Sequence, residues 1–600
     1  MTSGSGVAAS SQHDRVPRHT PFSGSLPLAL MGFIMTAPHR TRPLTRLGAG
    51  LLSGALALSL GGLTTAAFAA TAPRAGLAPA AAGSDANRGG PASLGTAASS
   101  AIRQIAPGGL GRLTYNGTVD VAALPQISAA AAVAAGSGHH ALTVDSWFRG
   151  PRTSAASKST TAAGPLVTTP TVIHLNKGGT RGSQSSCSCQ PPDTNAAISA
   201  TRIVEAVNLS LTIYKRGGAL ISRTSLASWW PTTRSISDPH ILYDNAAKRW
   251  ILVFIPVPTS TTDTPTMYVA ASTSADPAST WHRYTVTFSG GLFPAGTLLD
   301  YPMVGQDRNA ILIGSNNFQL GLGGFSYLNS TIFAVPKSAA YGGLGFSFPA
   351  FATAFSTYPA IPRGNPMSAY GTSYALAAND AGGYSLYAMT NTGGTPTYTL
   401  QATTAGALWS PPPAALQPAP NQGVQLDTLD GRIQSPPVQA DTFLWFTHSV
   451  ALGSFPAVRY GAIPLSASGT GGASAQTANA FASSSSYDWN PSIALAEPTT
   501  NSVRIFLGWA MTDPTNGVNV SMRVSGVGPG EGVPSLAGIG TTVFTGGGST
   551  SQTRFGDYSS VQMEVANIST TCRANTQALF TNQVFNGGDW QVRLARVGTC

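Results

Sequence analysis

Residues 237–288 read SDPHILYDNAAKRWILVFIPVPTSTTDTPTMYVAASTSADPASTWHRYTVTF. Four runs in this stretch, residues 240–243, 249–255, 267–272 and 282–288, are filled with Tyr, Trp, Val, Ile and Phe. These residues suit a pleated, half-buried surface. NAAK at 245–248 makes a tight turn between the first two runs, and Asp276-Pro277 breaks the chain ahead of the fourth. A four-stranded antiparallel unit of about 50 residues is the blade of a β-propeller.

Working outward, the start of this unit recurs. An Asp or Asn beside Pro or an aromatic, ahead of an apolar run, stands at Asp193 (PPDTNAAIS), Asp238 (SDPHILYD), Asp300 (LDYPMVGQD), Asn365 (GNPMSAYG), Asn490 (WNPSIALAE) and Asp557 (FGDYSSVQM). A weaker copy lies at Arg432 (DGRIQSPPV), where the acidic residue is displaced to Asp430. The spacings are 45, 62, 65, 67, 58 and 67 residues, the beat of propeller blades with some long loops. Second strands follow at 203–207, 249–255, 310–315, 374–378, 443–448, 503–509 and 577–580. The pattern predicts an all-β, seven-bladed β-propeller of four-stranded antiparallel blades over residues 166–600, with six or eight blades as the alternatives. Only three strands follow Asp557, which would leave an edge unpaired. Residues 171–176 (TVIHLN) are therefore expected to supply the outer strand of the last blade and close the ring.

The 600 residues are 42% hydrophobic and only 9% charged, which suits many short strands and argues against long charged helices. The net charge of +10 is concentrated at one end: residues 1–165 carry 12 Lys+Arg against 4 Asp+Glu, leaving 21 against 19 in the remainder. The predicted propeller is nearly neutral, so charge gives no support for a nucleic-acid partner. Arg40, Arg42 and Arg46 precede an apolar run over 47–63, and Ala67-Phe68-Ala69 supplies a small-x-small cleavage site. This is the pattern of a secretory signal peptide, so residues 1–69 read as an N-terminal extension plus signal. Met31 and Met35 are alternative starts. The mature chain is expected to be secreted or wall-associated, monomeric and without a membrane span. Residues 70–165, rich in Ala, Gly, Ser, Thr and Pro, read as a flexible leader. Residues 104–121 are less repetitive and are candidates to dock on the folded part.

Cysteines stand at 187, 189, 572 and 600. Blade geometry places Cys572 and Cys600 at one end of the last sheet, and Cys187 and Cys189 at the opposite end of the first. Strands of five or six residues span about 17–20 Å, beyond the roughly 7 Å Cα limit for a bridge. A Cys572–Cys600 disulfide is expected, with Cys187 and Cys189 left to form a CxC ring or stay reduced.

No HExxH, GxSxG, P-loop or βαβ-opening GxGxxG is present. The recurrent polar feature is the blade-start residue. First strands line a propeller's axis, so Asp193, Asp238, His240, Asp300, Tyr301, Asn490, Asp557 and Tyr558 are the candidate ligand-binding residues at one mouth. Asp193, Asp238, Asp300 and Asp557 have the hard oxygen ligands that calcium takes, or the acid and base that sugar cleavage needs. The structural alternative is that each caps backbone N–H groups in a tight turn. Repetition favours that alternative, because catalysis needs two unlike residues rather than seven similar ones. His240 and His448, with Tyr301 and Tyr558, allow a His/Tyr proton-transfer pair of the lyase type. Trp229, Trp230, Trp409, Trp489 and Trp509 are candidates to present flat faces to sugar rings, whereas Trp250, Trp281 and Trp590 read as core.

The runs PPDTNAAIS, SDPHILYDNAAKRW, DYPMVGQDRNAILI and RFGDYSSV resemble a group of secreted bacterial β-propeller proteins that share a PPD start, an SDPxxxYDxxxxRW blade and a late GDYSS turn. The resemblance covers roughly residues 185–600. It implies a propeller and carries no catalytic residues. The expected function is a binding or surface-interaction module for glycans such as polysaccharide. The alternative is a carbohydrate-active hydrolase or lyase working at the axial mouth. No cofactor is required by the binding reading, and calcium is an option.

Overall fold

The computed structural model describes residues 102–127, 172–187, 189–363, 371–379, 383–404, 408–440, 442–465, 475–496, 504–527, 540–564 and 576–598. All of them lie in one compact unit, Ser93–Cys600. The fold is all-β, and among the described residues the strands form six sheets. Residues 237–288 fold into an antiparallel meander of Ile236–Asp244, Arg249–Pro256, Thr266–Ser272 and Thr280–Ser289. Similar meanders cover residues 195–225, 297–353, 358–404, 438–480, 487–545 and 560–598. One pairing is parallel, between Ile361–Pro362 and Val438–Ala440.

The run Trp250 to Ile255 shows why the strands are apolar without alternation. Successive side chains point to opposite faces of a strand, yet all six are fully buried. Ile251, Val253 and Ile255 pack in a core shared with the 297–353 meander. Trp250, Leu252 and Phe254 pack in a second core with Ala197, Val204 and Ile213 of the 195–225 sheet. A sheet covered on both faces needs apolar residues on both. The pattern continues along the chain: a core cluster joins 297–353 to 358–404, another 358–404 to 438–480, another 438–480 to 487–527, and another 487–545 to 560–598. Leu579, Val584, Trp590 and Val592 of the last sheet pack in turn against Ala196, Ile198 and Tyr214 of the first.

The last sheet takes its fourth strand from far upstream. Val172–Arg181 pairs antiparallel with Asp589–Gly598, as expected for TVIHLN. Gly179 is required there, because a Cβ would clash with the carboxylate of buried Glu205. Glu205 accepts the Thr180 N–H at 2.9 Å and the Tyr214 hydroxyl at 3.1 Å.

Several readings change. The sheet-forming part begins well before residue 165: Arg103–Ile105 adds to the edge of Thr397–Thr404. Pro107–Asp120 lies between Thr280–Ser289 and Phe346–Thr353, fusing two meanders into one nine-stranded sheet. Asn365 falls outside the described residues, and the 358–404 sheet opens instead on Tyr358–Pro359. Cys572 and Cys600 also fall outside them, whereas Cys187 and Cys189 are joined as a disulfide. Among the described residues no helix is long and apolar enough to cross a membrane.

Candidate functional site

The recurrent blade-start residue has a conformational signature. Asp193, Asp238, Tyr301, Ser356, Leu429 and Asn490 all adopt φ between 49° and 59°. Asp238, Tyr301 and Asn490 sit at bulges in the first strand of their meander. Asp and Asn tolerate the left-handed region because their side chains bond locally, whereas Tyr and Leu do so at a cost of about 1–2 kcal/mol. Such conformations persist where surrounding contacts over-determine them. The third meander uses Tyr301 at this position and not Asp300, and the fifth uses Leu429 and not Arg432. The sequence motif marks the place at Asp193, Asp238 and Asn490, misses it by one residue in the third meander and three in the fifth, and misses it by nine in the fourth, where Ser356 stands instead of Asn365.

These positions converge. Asp193 Oδ1 accepts the backbone N–H of Asp557 at 3.0 Å, although 364 residues separate them. The other Asp193 oxygen accepts Asn208 Nδ2 at 2.5 Å. Asn208 Oδ1 in turn accepts the Asp238 N–H at 2.9 Å. Tyr558 donates its hydroxyl to Asp238 Oδ2 at 2.7 Å, and Tyr301 donates to the Asp557 carbonyl at 3.0 Å. Asn490 Nδ2 reaches the carbonyls of Gly556 and Tyr558 at 3.2 and 3.3 Å. Arg554 holds both Asp557 oxygens at 2.8 and 2.9 Å and Asp427 at 2.8 Å. Apart from the local Asp193–Asn208 and Arg554–Asp557 pairs, each bond joins residues of different meanders or the segments leading into them. The result is a polar hub that ties the first, second, third, sixth and last meanders together.

The hub is buried. Asp193 is 3% exposed, Asp238 7%, Asp557 6% and Tyr558 less than 1%. Burial, reinforced by the neighbouring Asp238 carboxylate, pushes the Asp193 carboxyl up to about 8, against the N–H bonds from Asp557 and Asn208 that favour its charged form. Burial, with the charges of Asp238, Asp193 and Asp300 added, holds the Tyr558 phenol far above its usual range, so it is a donor at any physiological pH. Tyr558 is the centrepiece: its ring meets Tyr301 at 4.6 Å and the edge of His240 at 4.4 Å. Burial pushes the His240 imidazole down to about 3, so it is neutral in the folded protein.

The expected His/Tyr pairing is only half realised. His240 and Tyr558 are adjacent, whereas His448 is engaged by other partners. Its Nδ1–H donates to the Gly431 carbonyl at 2.7 Å, its Nε2 accepts the Tyr384 hydroxyl at 2.9 Å, and Trp409 packs on it edge-on. The tryptophans offered as sugar platforms are all buried. Trp229 donates to Thr224 Oγ1 and Trp509 to Asp488 Oδ1. Their indoles fill the space between sheets, which is where the largest apolar side chains bury most area.

From buried Tyr301 of the hub, a chain of contacts leads out to an exposed aromatic rim. The Arg432 guanidinium lies 4.6 Å from the Tyr301 ring centre and 5.0 Å from that of Phe355. Phe355 meets Tyr327 edge-on at 5.5 Å, and Tyr327 is 37% exposed. Tyr327 belongs to the long hairpin of Ala310–Gly321 and Gly324–Pro336, whose end carries the exposed Leu322 and Leu328. Asn208, Asp427, Tyr327 and Phe355 escape a sequence reading, because none belongs to the repeated motif. Among the described residues no three His, Cys, Asp or Glu side chains form a set that would hold a metal ion. Asp557 faces a guanidinium and Asp238 a phenol.

No family model matches the chain, and no curated protein matches it. Among solved structures, a variant of the Synechocystis apocarotenoid oxygenase aligns at 11% identity over 58% of this chain and 74% of that one, with a TM-score of 0.32. A GH43 endo-arabinanase from Bacillus licheniformis aligns at 11% identity over 56% of this chain and 92% of that one, with a TM-score of 0.23. The xylan β-1,4-xylosidase from Bacillus halodurans C-125 aligns at 8% identity over 67% and 94%, with a TM-score of 0.24.

Proposed function

We propose that the chain is an exported seven-bladed β-propeller that works as a glycan-binding module rather than as an enzyme acting at the axis. The blade count rests on dividing the nine-stranded sheet into two blades that share Pro107–Asp120. Ring closure rests on Val172–Arg181 completing the last sheet and on the core shared by the last and first sheets. Export rests on the signal-like residues 40–69 and on the resemblance to secreted bacterial propellers.

The observation that carries the functional reading is how the hub carboxylates are employed. Asp193 and Asp238 are buried and bonded to a backbone N–H and a phenol of the segment leading into the last meander, and buried Asp557 is held by Arg554 three residues upstream, which also binds Asp427. A glycosidase acid and base must reach the scissile oxygen and a water, and these groups are turned to the inter-sheet joints. The binding surface we assign is the rim of Tyr327 and Phe355 above Arg432. An exposed ring with a polar end suits stacking on a sugar, and the nearly neutral charge of residues 166–600 suits an uncharged ligand.

One observation favours hydrolysis: the raised Asp193 beside Asp238 is the kind of unlike pair that acid–base chemistry uses. Incubating the secreted protein with a panel of neutral polysaccharides separates the two readings. Binding without release of reducing ends or unsaturated products is expected, with affinity falling about tenfold in Tyr327→Ala, in line with losing one stacked ring. Turnover on any substrate, or unchanged binding in Tyr327→Ala, would displace this reading.

A further inference from the structure

Residues 103–127 form a strap across the outer edges of several sheets. Arg103–Ile105 adds to Thr397–Thr404, Pro107–Asp120 joins Thr280–Ser289 to Phe346–Thr353, and Gln126 bridges to Thr224 at the edge of the 195–225 sheet. Pro107–Asp120 is bonded on both sides, yet few of its side chains are buried: Leu113 and Val119 are the two apolar anchors. The first strand of the next meander, Thr297–Gln306, is buried at every position. A strand held mainly by backbone bonds at the periphery, with few buried apolar contacts, opens more readily than the core.

The slot it fills is selective. A Cβ at Gly109 would lie 2.5 Å from the Phe293 ring, one at Gly108 2.9 Å from Leu292, and one at Gly111 inside the Phe348 ring's contact distance. Phe348 belongs to Phe346–Thr353 and Phe293 to the connection that follows Thr280–Ser289, and both are buried. The slot thus accepts an extended strand with glycine at these three places, and rejects one with larger residues there. The chain itself carries such a strand, PGGLG. The 44 residues 128–171 separate the strap from Val172, a contour of about 140 Å when extended.

We propose that the edges Thr280–Ser289 and Phe346–Thr353 form an acceptor slot for a glycine-rich strand, filled by residues 107–120 of the same chain and open to the same strand of a second copy. Exchange of an identical element is a low-cost route to a dimer. The donor replaces its own copy bond for bond, and the connection has the length to reach.

The test uses two full-length variants, each adding one cysteine to the four of the natural chain. Leu110 and Ser289 are exposed cross-strand partners. Leu110→Cys and Ser289→Cys proteins are mixed, incubated, oxidised and mapped by mass spectrometry for the 110–289 link between copies. The Leu110→Cys/Ser289→Cys double variant reports the pairing within one chain. The inter-copy link is expected, and adding Gly111→Val to the Leu110→Cys donor lowers it about tenfold or more, as overpacking against Phe348 requires. Absence of the inter-copy link while the double variant closes its own would overturn the proposal. So would a link that Gly111→Val leaves unchanged, since random collision would then explain it. A double variant that fails to link would show that the strap does not occupy the slot, and would overturn it too.

Discussion

Replacing Tyr558 by Phe removes one oxygen from the hub and leaves the ring in place, so no cavity opens and the contacts with Tyr301 and His240 stay. The lost bond is the 2.7 Å donation to Asp238 Oδ2, in a site where both side chains are more than nine-tenths buried. A hydrogen bond to a buried charged group contributes about 1.5–3 kcal/mol. Tyr301→Phe is the matched control: its hydroxyl donates at 3.0 Å to a neutral backbone carbonyl, a bond that contributes about 1 kcal/mol. Equilibrium urea unfolding at pH 7, followed by tryptophan fluorescence, compares the two through midpoint and slope. We expect Tyr558→Phe to cost about 2 kcal/mol and Tyr301→Phe about half that. A cycle with Asp238→Asn should show a coupling of about 1–2 kcal/mol, as contacting residues do. Tyr558→Phe within about 0.5 kcal/mol of wild type, the range of surface changes, would refute the hub as an inter-sheet clasp. Zero coupling would place the effect on something other than this bond.

His240 gives a pH test. Its folded imidazole is held at about 3, below the usual 6.5, so the unfolded chain binds the proton first as pH falls. Stability contributed by the neutral imidazole is present above about pH 6.5 and is lost as pH falls towards 3. The difference between wild type and His240→Leu should shrink by about 1.4 kcal/mol per pH unit across that window, and parallel pH curves would contradict it. Gly179→Ala should cost about 1–3 kcal/mol by overpacking, because its Cβ meets the Glu205 carboxylate. Thermal denaturation of that variant should be rescued in part by Glu205→Ala, and a Gly179→Ala protein as stable as wild type would mean the strand is not seated as described.

The residue pattern alone located the meanders. The four runs in 237–288 became four strands, lengthened by one to four residues at their ends, because β-branched and aromatic residues between turn signals leave few alternatives. The orphan TVIHLN was legible by count, since a three-stranded sheet needs a partner. Export, the Cys572–Cys600 pairing and the Asn365 start concern residues outside those described. The strap was half legible: residues 104–121 stood out from the low-complexity leader, but their partners did not. Exposed side chains and glycines carry no hydrophobic period, and backbone bonds to distant edges leave no trace in composition.

The site divides in the same way. The residue pattern showed that a turn carrying Asp or Asn recurs ahead of most first strands, because the left-handed backbone at Asp193, Asp238 and Asn490 restricts residue choice locally. Only the tertiary structure decided what those side chains do. Asp193 meets the Asp557 N–H across 364 residues, and Asn208 and Asp427 join them from segments with no shared motif. The tryptophans that looked like sugar platforms turned inward for a related reason: burial depends on which sheet packs over a face. Spacing along one strand fixes the face a side chain takes. What covers that face is set by other meanders, from tens of residues away to the whole length of the fold where the last sheet meets the first.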